Sequence, residues 1–68
     1  MNIQEAQKIY KQLEETQEEN IACVVSTSKI QGDGIIYDAQ DYYKPIFLIK
    51  MDTGIKVEIP CFRVERKG

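Results

Sequence analysis

From residue 21 onward, this 68-residue chain is a succession of short apolar runs separated by turn residues. The runs read IACVV, GIIY, PIFLI and IKVEIPCFRV, and the turns between them are Gly32-Asp33-Gly34, residues 38–41 and Asp52-Thr53-Gly54. A strand that is buried on one side alternates apolar and polar residues, whereas the cores of these runs are apolar at both alternate positions. The pattern therefore predicts a small sheet that closes into a barrel or is covered by another part of the chain.

The amino-terminal segment supplies such a cover, because it has the pattern of an amphipathic helix over about residues 3–18. Asn2 and Glu5 have the spacing of a capping box, in which each side chain bonds a backbone amide of the first turn. One face of the helix then collects the apolar residues Ile3, Ala6, Ile9, Tyr10 and Leu13. Beyond this stripe follow Glu14, Glu15, Glu18 and Glu19, which we expect to be solvated or to serve something outside the helix.

Turn chemistry sets the expected strand boundaries. The segment Met51 to Ile55 is the strongest local signal, since a three-residue loop containing glycine is typical of a β-hairpin. Pro45 lacks an amide hydrogen and is expected to open a strand, while Gly32 and Gly34 are expected to allow a bulge or a tight bend. Strands are therefore predicted at about residues 21–30, 35–37, 46–51 and 55–59, followed by a fifth strand or one helical turn at residues 62–65.

These elements give an α+β, mostly β fold in a single domain over residues 1–68, with the strands in residues 21–66. A chain this short buries only about 60% of the surface that it exposes when unfolded, so its core is marginal and self-association is expected to stabilise it.

The two cysteines, Cys23 and Cys61, lie in apolar runs. We expect both to be reduced and buried, with a disulfide or a reactive thiol as the alternatives.

The inventory of catalytic groups is poor. The chain has no histidine, so the usual general base at neutral pH and a common zinc ligand are both missing. The aspartates Asp33, Asp38, Asp41 and Asp52 match no EF-hand spacing, and aspartate is common in turns because it hydrogen-bonds the local backbone. We therefore expect no enzymatic activity, no metal site and no cofactor.

The segment with the most functional content is the polar loop predicted between the second and third strands. It places Tyr37, Tyr42, Tyr43 and Lys44 within eight positions of one another. Tyrosine is enriched in binding surfaces, because it offers a large contact area at a small entropic cost. These four residues are the predicted partner-binding site, and the alternative is that the tyrosines line the rim of the core with their hydroxyls in water.

A second candidate surface is a basic edge formed by Lys29, Arg63, Arg66 and Lys67; the alternative is a solvated chain end. The net charge of −2 divides into −3 over residues 1–20 and +1 over residues 21–68. General nucleic-acid binders show a clear basic excess on the binding face. Nonspecific DNA binding is therefore not favoured, although a local basic patch remains open.

In topology, a short helix followed by about five bent strands resembles the Sm-like proteins and the SH3-like barrels. The segments KIQGDGIIYDA and PIFLIK resemble the strand–glycine–strand passage of an Sm fold. The resemblance implies a small barrel over residues 21–66 and, in Sm-like proteins, RNA binding. The RNA-contacting motifs of that family are absent from this sequence, so no site residue carries over.

The leading functional hypothesis is a non-enzymatic cytosolic module that occupies the surface of a partner protein. Its size and lack of catalytic groups are similar to those of phage or mobile-element inhibitors and accessory proteins. A homo-oligomer is expected, and no membrane association, because no apolar run approaches the roughly 18 residues of a membrane span. The alternative is an Sm-like or SH3-like nucleic-acid-binding protein that uses Lys29, Lys44, Arg63 and Arg66.

Overall fold

The structure is a computed structural model that describes residues 1–16 and 21–67. These residues form α1 (Ile3–Thr16), β1 (Ile21–Ser26), β2 (Gln31–Gln40), β3 (Ile46–Met51), β4 (Lys56–Pro60), a 3-10 helix (Cys61–Arg63) and β5 (Val64–Arg66). The five strands make one antiparallel sheet in the order β4-β3-β2-β1-β5. This confirms the predicted α+β, mostly β fold. The sheet is open, with β4 and β5 as its edges.

Helix α1 begins as the capping pattern predicts. The side-chain oxygen of Asn2 accepts from the amide of Glu5 at 2.8 Å. Ala6 and Ile9 are buried against the sheet, and Leu13 packs partly against the same core, but Ile3 is exposed and does not join it. Residues 17 and 18, where the helix was predicted to end, lie outside the described residues.

One face of the sheet is buried, not two. Along β1, Cys23 and Val25 are buried, whereas Val24 between them is exposed. Residues directly opposite one another in an antiparallel pair share a face, so this alternation continues across the sheet. The core consists of Met1, Ala6, Ile9, Ile21, Cys23, Val25, Ile36, Phe47, Ile49, Met51, Ile59, Cys61 and Val64. The second apolar set faces outward, where Val24 and Ile35 remain 37% and 39% exposed.

Strand β2 is longer than the sequence predicted, because it runs through both glycines into the polar segment that was expected to be loop. Its pairing with β1 is continuous across Gly32 and Gly34, and its bulge lies instead at Tyr37, between Ile36 and Asp38. Gly34 serves close packing. A Cβ atom there would lie 2.7 Å from Cγ2 of Ile49 and 3.0 Å from the carbonyl oxygen of Lys50.

Hydrogen bonds define the β3–β4 hairpin and the turn between β1 and β2. Gly54 has φ of +92°, as the predicted hairpin loop requires, and the amide of Met51 donates to the carbonyl of Ile55 at 2.8 Å. Strand β1 ends at Ser26, earlier than predicted. The hydroxyl of Thr27 explains this, since it accepts from the amide of Ile30 at 2.8 Å and closes a turn.

The first residue joins the helix to the far edge of the sheet. The amino group of Met1 donates to the carbonyl oxygens of Cys61 and Val64. It also pairs with the carboxylate of Glu65 at 3.0 Å. The side chain of Met1 is buried, so the helix, the 3-10 helix and β5 are tied together at one corner of the core.

Both cysteines are free and buried, as predicted. Burial, with a smaller contribution from the negative charge of Asp33, raises the pKa of the Cys23 thiol from its usual 9.0 to about 11. The structure therefore holds this thiol protonated well above the pH at which an exposed cysteine ionises.

The Gly34→Ala substitution tests the close approach of β2 and β3. The added methyl group has no room beside Ile49, so we expect the free energy of unfolding to fall by about 1–3 kcal/mol. Chemical denaturation measures this change. Ser26→Ala, at an exposed position of β1, is the control and should change stability by less than about 0.5 kcal/mol. Equal stability of the two variants would contradict the packing.

Alkaline pH tests the burial of Cys23. The unfolded chain loses this thiol proton above about pH 9, whereas the folded chain keeps it until about pH 11. The unfolded state binds fewer protons in that interval, so the free energy of unfolding falls there by up to about 1.4 kcal/mol per pH unit. Urea denaturation across this range should show a shallower decline for Cys23→Ala. Parallel curves for the two proteins would show that the thiol is not shielded.

Candidate functional site

The loop between β2 and β3 is held by its own aspartate. Asp41 adopts a positive φ of 61°, which aspartate tolerates better than most residues. Its Oδ1 atom accepts from the amides of Tyr43 and Lys44 at 3.2 and 3.4 Å. Pro45 follows and is buried. The loop therefore has a defined shape, in which two amides are tied to one carboxylate.

Tyr10, Tyr42 and Tyr43 form a tyrosine cluster on this loop and the adjacent helix. The rings of Tyr10 and Tyr42 meet edge to face, with centroids 5.5 Å apart, and those of Tyr42 and Tyr43 do so at 5.6 Å. The side-chain amide of Gln7 donates to the carbonyl oxygen of Tyr42 at 3.1 Å. The ammonium of Lys11 lies 5.7 Å from the Tyr42 ring centroid. Helix α1 thus packs against the loop and holds Tyr42 in place.

Tyr43 is the outermost member of this cluster. It is 81% exposed, although its ring contacts Tyr42 and its amide is held by Asp41. Tyr42 is half-buried and acts as the support between Tyr43 and the helix. An aromatic side chain that is exposed and also held in place is suited to contact with a partner.

A shallow cleft of about 280 Å³ lies at the base of the same loop. Its lining residues come from the loop, the start of β3, the end of β4 and the 3-10 helix: Asp41, Lys44, Pro45, Ile46, Pro60 and Phe62. Phe62 is 59% exposed. From the sequence, Phe62 was expected in the fifth strand or helical turn and was missed as a surface residue. The signal that was available is a bulky apolar side chain two residues after Pro60, which breaks the strand pattern.

The four predicted partner-binding residues do not all lie together. Tyr42, Tyr43 and Lys44 belong to the loop and its cleft, but Tyr37 sits at the bulge of β2. The ring centroid of Tyr37 is 5.4 Å from the ammonium of Lys56 on β4, and it makes no ring contact with the tyrosine cluster. Proximity in sequence grouped it with the others, whereas the bulge separates it from them.

The predicted basic edge is also divided. Lys67 pairs with Asp33 at 3.0 Å, and Arg66 lies opposite Cys23 near the start of β1. Lys29 lies in the turn after β1, at the other end of that strand. The fourth residue, Arg63, belongs to the 3-10 helix, with its guanidinium carbon 5.7 Å from the ring centroid of Phe62. These cations therefore extend along the sheet without forming one compact patch.

Carboxylates surround the hydroxyl of Tyr10. The negative charge of Glu14 raises the pKa of the Tyr10 hydroxyl above its ordinary value of 10.0, and desolvation, a hydrogen bond with Glu14 and the charges of Asp38 and Asp41 add to the shift. The acidic end of the helix and the loop thus create a negative potential on one side of the tyrosine cluster, while Lys11 lies over the neighbouring ring.

The described residues offer little else for chemistry. Among residues 1–16 and 21–67, no group of three or more cysteines and carboxylates is placed to hold a metal ion. A larger cleft, of about 430 Å³, lies between the turn after β1 and the β3–β4 hairpin, with Ile30, Met51, Ile55 and Val57 among its lining residues. In the part of the chain that is described, no helix is long and apolar enough to cross a membrane.

Comparison with known proteins adds no assignment: no family model, curated protein sequence or solved structure matches the chain.

The titration of Tyr10 tests the geometry of the cluster. We expect its hydroxyl to ionise above pH 10.0, and Glu14→Gln to lower that midpoint because it removes the main source of the shift. Ring signals in pH-dependent NMR spectra measure it directly. Glu5→Gln, at the other end of the helix, is the matched control and should leave the midpoint unchanged. If Glu14→Gln left the Tyr10 midpoint unchanged, the Glu14 carboxylate would not lie beside the Tyr10 hydroxyl.

Proposed function

We propose that this chain is a non-enzymatic binding module that recognises a partner protein through Tyr43, Lys44 and the cleft beside them. The observation that carries the proposal is that Tyr43 is largely exposed yet fixed by Tyr42 and Asp41. A compact inhibitor or accessory protein acts in this way, by occupying a surface that its partner needs for another contact.

Preorganisation explains why this surface is suited to binding. Ordering a free side chain on association costs about 0.5–1.5 kcal/mol, which reduces affinity. The ring contacts and the Asp41 hydrogen bonds have already restricted the loop before any partner arrives. The exposed ring of Phe62 extends the apolar area on the other side of the cleft, so an aromatic residue lies at each end of the surface.

Nucleic-acid binding is the competing proposal and has less support. Its four cations are Lys29, Lys44, Arg63 and Arg66, which lie in separate elements. The loop that carries Lys44 also carries the carboxylate of Asp41, and Asp38 lies near the end of β2. Binding of this kind depends on phosphate contacts and therefore weakens steeply as salt increases. Titration with single-stranded RNA and DNA at two salt concentrations distinguishes it from protein recognition.

The decisive variant is Tyr43→Ala. The full chain is immobilised and used to capture proteins from cells of its source, and the captured protein is then purified and its affinity measured. We expect Tyr43→Ala to weaken binding at least about 30-fold, as for the loss of an aromatic hot spot. The fold should be unchanged in circular dichroism, because the side chain is 81% exposed.

Tyr37→Ala is the matched control. It removes the same side chain from the same strand–loop region, but from a position outside the tyrosine cluster. Binding should persist in this variant. Equal affinity of Tyr43→Ala and the unmodified chain would reject the site, and loss of binding only in Tyr37→Ala would move it to the outer face of the sheet.

A further inference from the structure

The two edges of the sheet differ in how far their backbone groups are already used. At β5, the amide of Lys67 donates to the carbonyl of Ala22. Because bonded positions alternate in an antiparallel ladder, the backbone N–H and C=O groups of Val64 are directed away from β1. The amide of Val64 bonds the carbonyl of Cys61, and its carbonyl accepts from Met1. The outward-directed residues of β5 are Val64 and Arg66, and Val64 is capped from within the chain.

The β4 edge has no such cap among the described residues. Met51 donates to Ile55 before this strand, and Cys61 donates to Pro45 after it, which fixes the bonded positions of the β3–β4 ladder. Bonded positions alternate, so every second residue of β4 directs its backbone groups away from β3. The outward-directed residues are Lys56, Glu58 and Pro60.

We propose that a second copy of this chain pairs with β4 through its own β4, in antiparallel register with Val57 opposite Val57. This register places Lys56 of each copy opposite Glu58 of the other, so that outward amides and carbonyls meet as four backbone hydrogen bonds. The two sheets then become one sheet of ten strands, twice the five of a single chain.

Charge supports this occupant and this register. Lys56 and Glu58 are exposed on the outer face, and the pairing gives two opposite-charge pairs directly across the junction. Within one chain, Lys56 lies opposite Lys50, an unfavourable like-charge pair. Glu58 of the second copy brings a carboxylate next to that pair. A register shifted by two residues would place Lys56 opposite Lys56 or Glu58 opposite Glu58, and in either direction both opposite-charge pairs would be lost.

Apolar contacts on the core side favour the same arrangement. Val57 faces the core opposite Ile49, yet is only half-buried, since none of the residues that the structure describes pairs with the outer edge of β4. Ile55, beside it in the larger cleft, is 62% exposed. The register brings the two Val57 side chains together on the symmetry axis and places Ile55 of each copy opposite Ile59 of the other.

The contact closes as a dimer. The same edge is used by both copies, so the interface is isologous and leaves no further open β4 edge for growth into a filament. Its four backbone bonds use Lys56 and Glu58, and it involves neither Tyr43 nor Lys44; of the residues that line the cleft beside them, Pro60 alone lies on β4. The inference does not depend on the proposed binding function. Tyr43→Ala should therefore form the dimer normally, and failure of partner capture would leave this inference unaffected.

Sedimentation equilibrium of the full chain over a range of concentrations is the test. We expect the mass to rise with concentration from 7.9 kDa toward twice that value. Glu58→Lys places lysine opposite lysine twice and should weaken association at least about 10-fold. The exchange variant Lys56→Glu/Glu58→Lys restores both opposite-charge pairs and should restore the dimer. Glu15→Lys makes the same charge change on the helix and should leave association unchanged.

Amide hydrogen exchange locates the interface independently of mass. In the dimer, the amides of Lys56 and Glu58 are bonded, so their protection should increase with protein concentration. A monomer at every concentration overturns the inference. A dimer that tolerates Glu58→Lys, or is not recovered by the exchange variant, also overturns it, because association would then use another surface. Circular dichroism confirms that each variant is folded.

Discussion

The hydrogen bonds of the Met1 amino group are the contact on which the arrangement of this small fold depends most. They join the start of α1 to the carbonyls of Cys61 and Val64, elements that lie more than fifty residues away in sequence. This attachment sets where the helix crosses the core, because α1 packs on β2 and the 3-10 helix. It also occupies the edge of β5. Two separate properties, a covered core and unequal sheet edges, therefore share one cause.

The sequence predicted those parts of the fold that are decided by local chemistry. Asn2 begins the helix, Pro45 precedes β3, and Gly54 makes the hairpin, since each of these residues constrains its own backbone. The length of β2 was underestimated, because residues such as Asp33 and Asp38 join the strand by pairing with β1 and β3. Pairing of that kind depends on distant partners, and strand propensity is correspondingly weak evidence.

The candidate site shows the same limit. Tyr42, Tyr43 and Lys44 could be identified from the sequence because they are adjacent, whereas Tyr10 was assigned to the core stripe of the helix. The structure places the Tyr10 ring against Tyr42, a contact between a helix and a loop that no sequence spacing reveals. The bulge then turns Tyr37 away from this group. Adjacency in sequence identified the loop, whereas tertiary packing determined which rings belong to it.

The doubly apolar strands now have a physical account that needs no closed barrel. One alternate set fills the core, and the outward set leaves Val24 and Ile35 partly exposed. Pairing through β4 would also fix how the two β2–β3 loops are displayed. Ile46, which follows the loop, lies opposite Pro60, three residues from the proposed axis at Val57. At about 3.3 Å per residue, the two Pro60 positions are roughly 20 Å apart along the strands, at opposite ends of the junction. Such a dimer would therefore display its two Tyr43 rings at opposite ends of the junction, since each ring belongs to the loop that precedes Ile46.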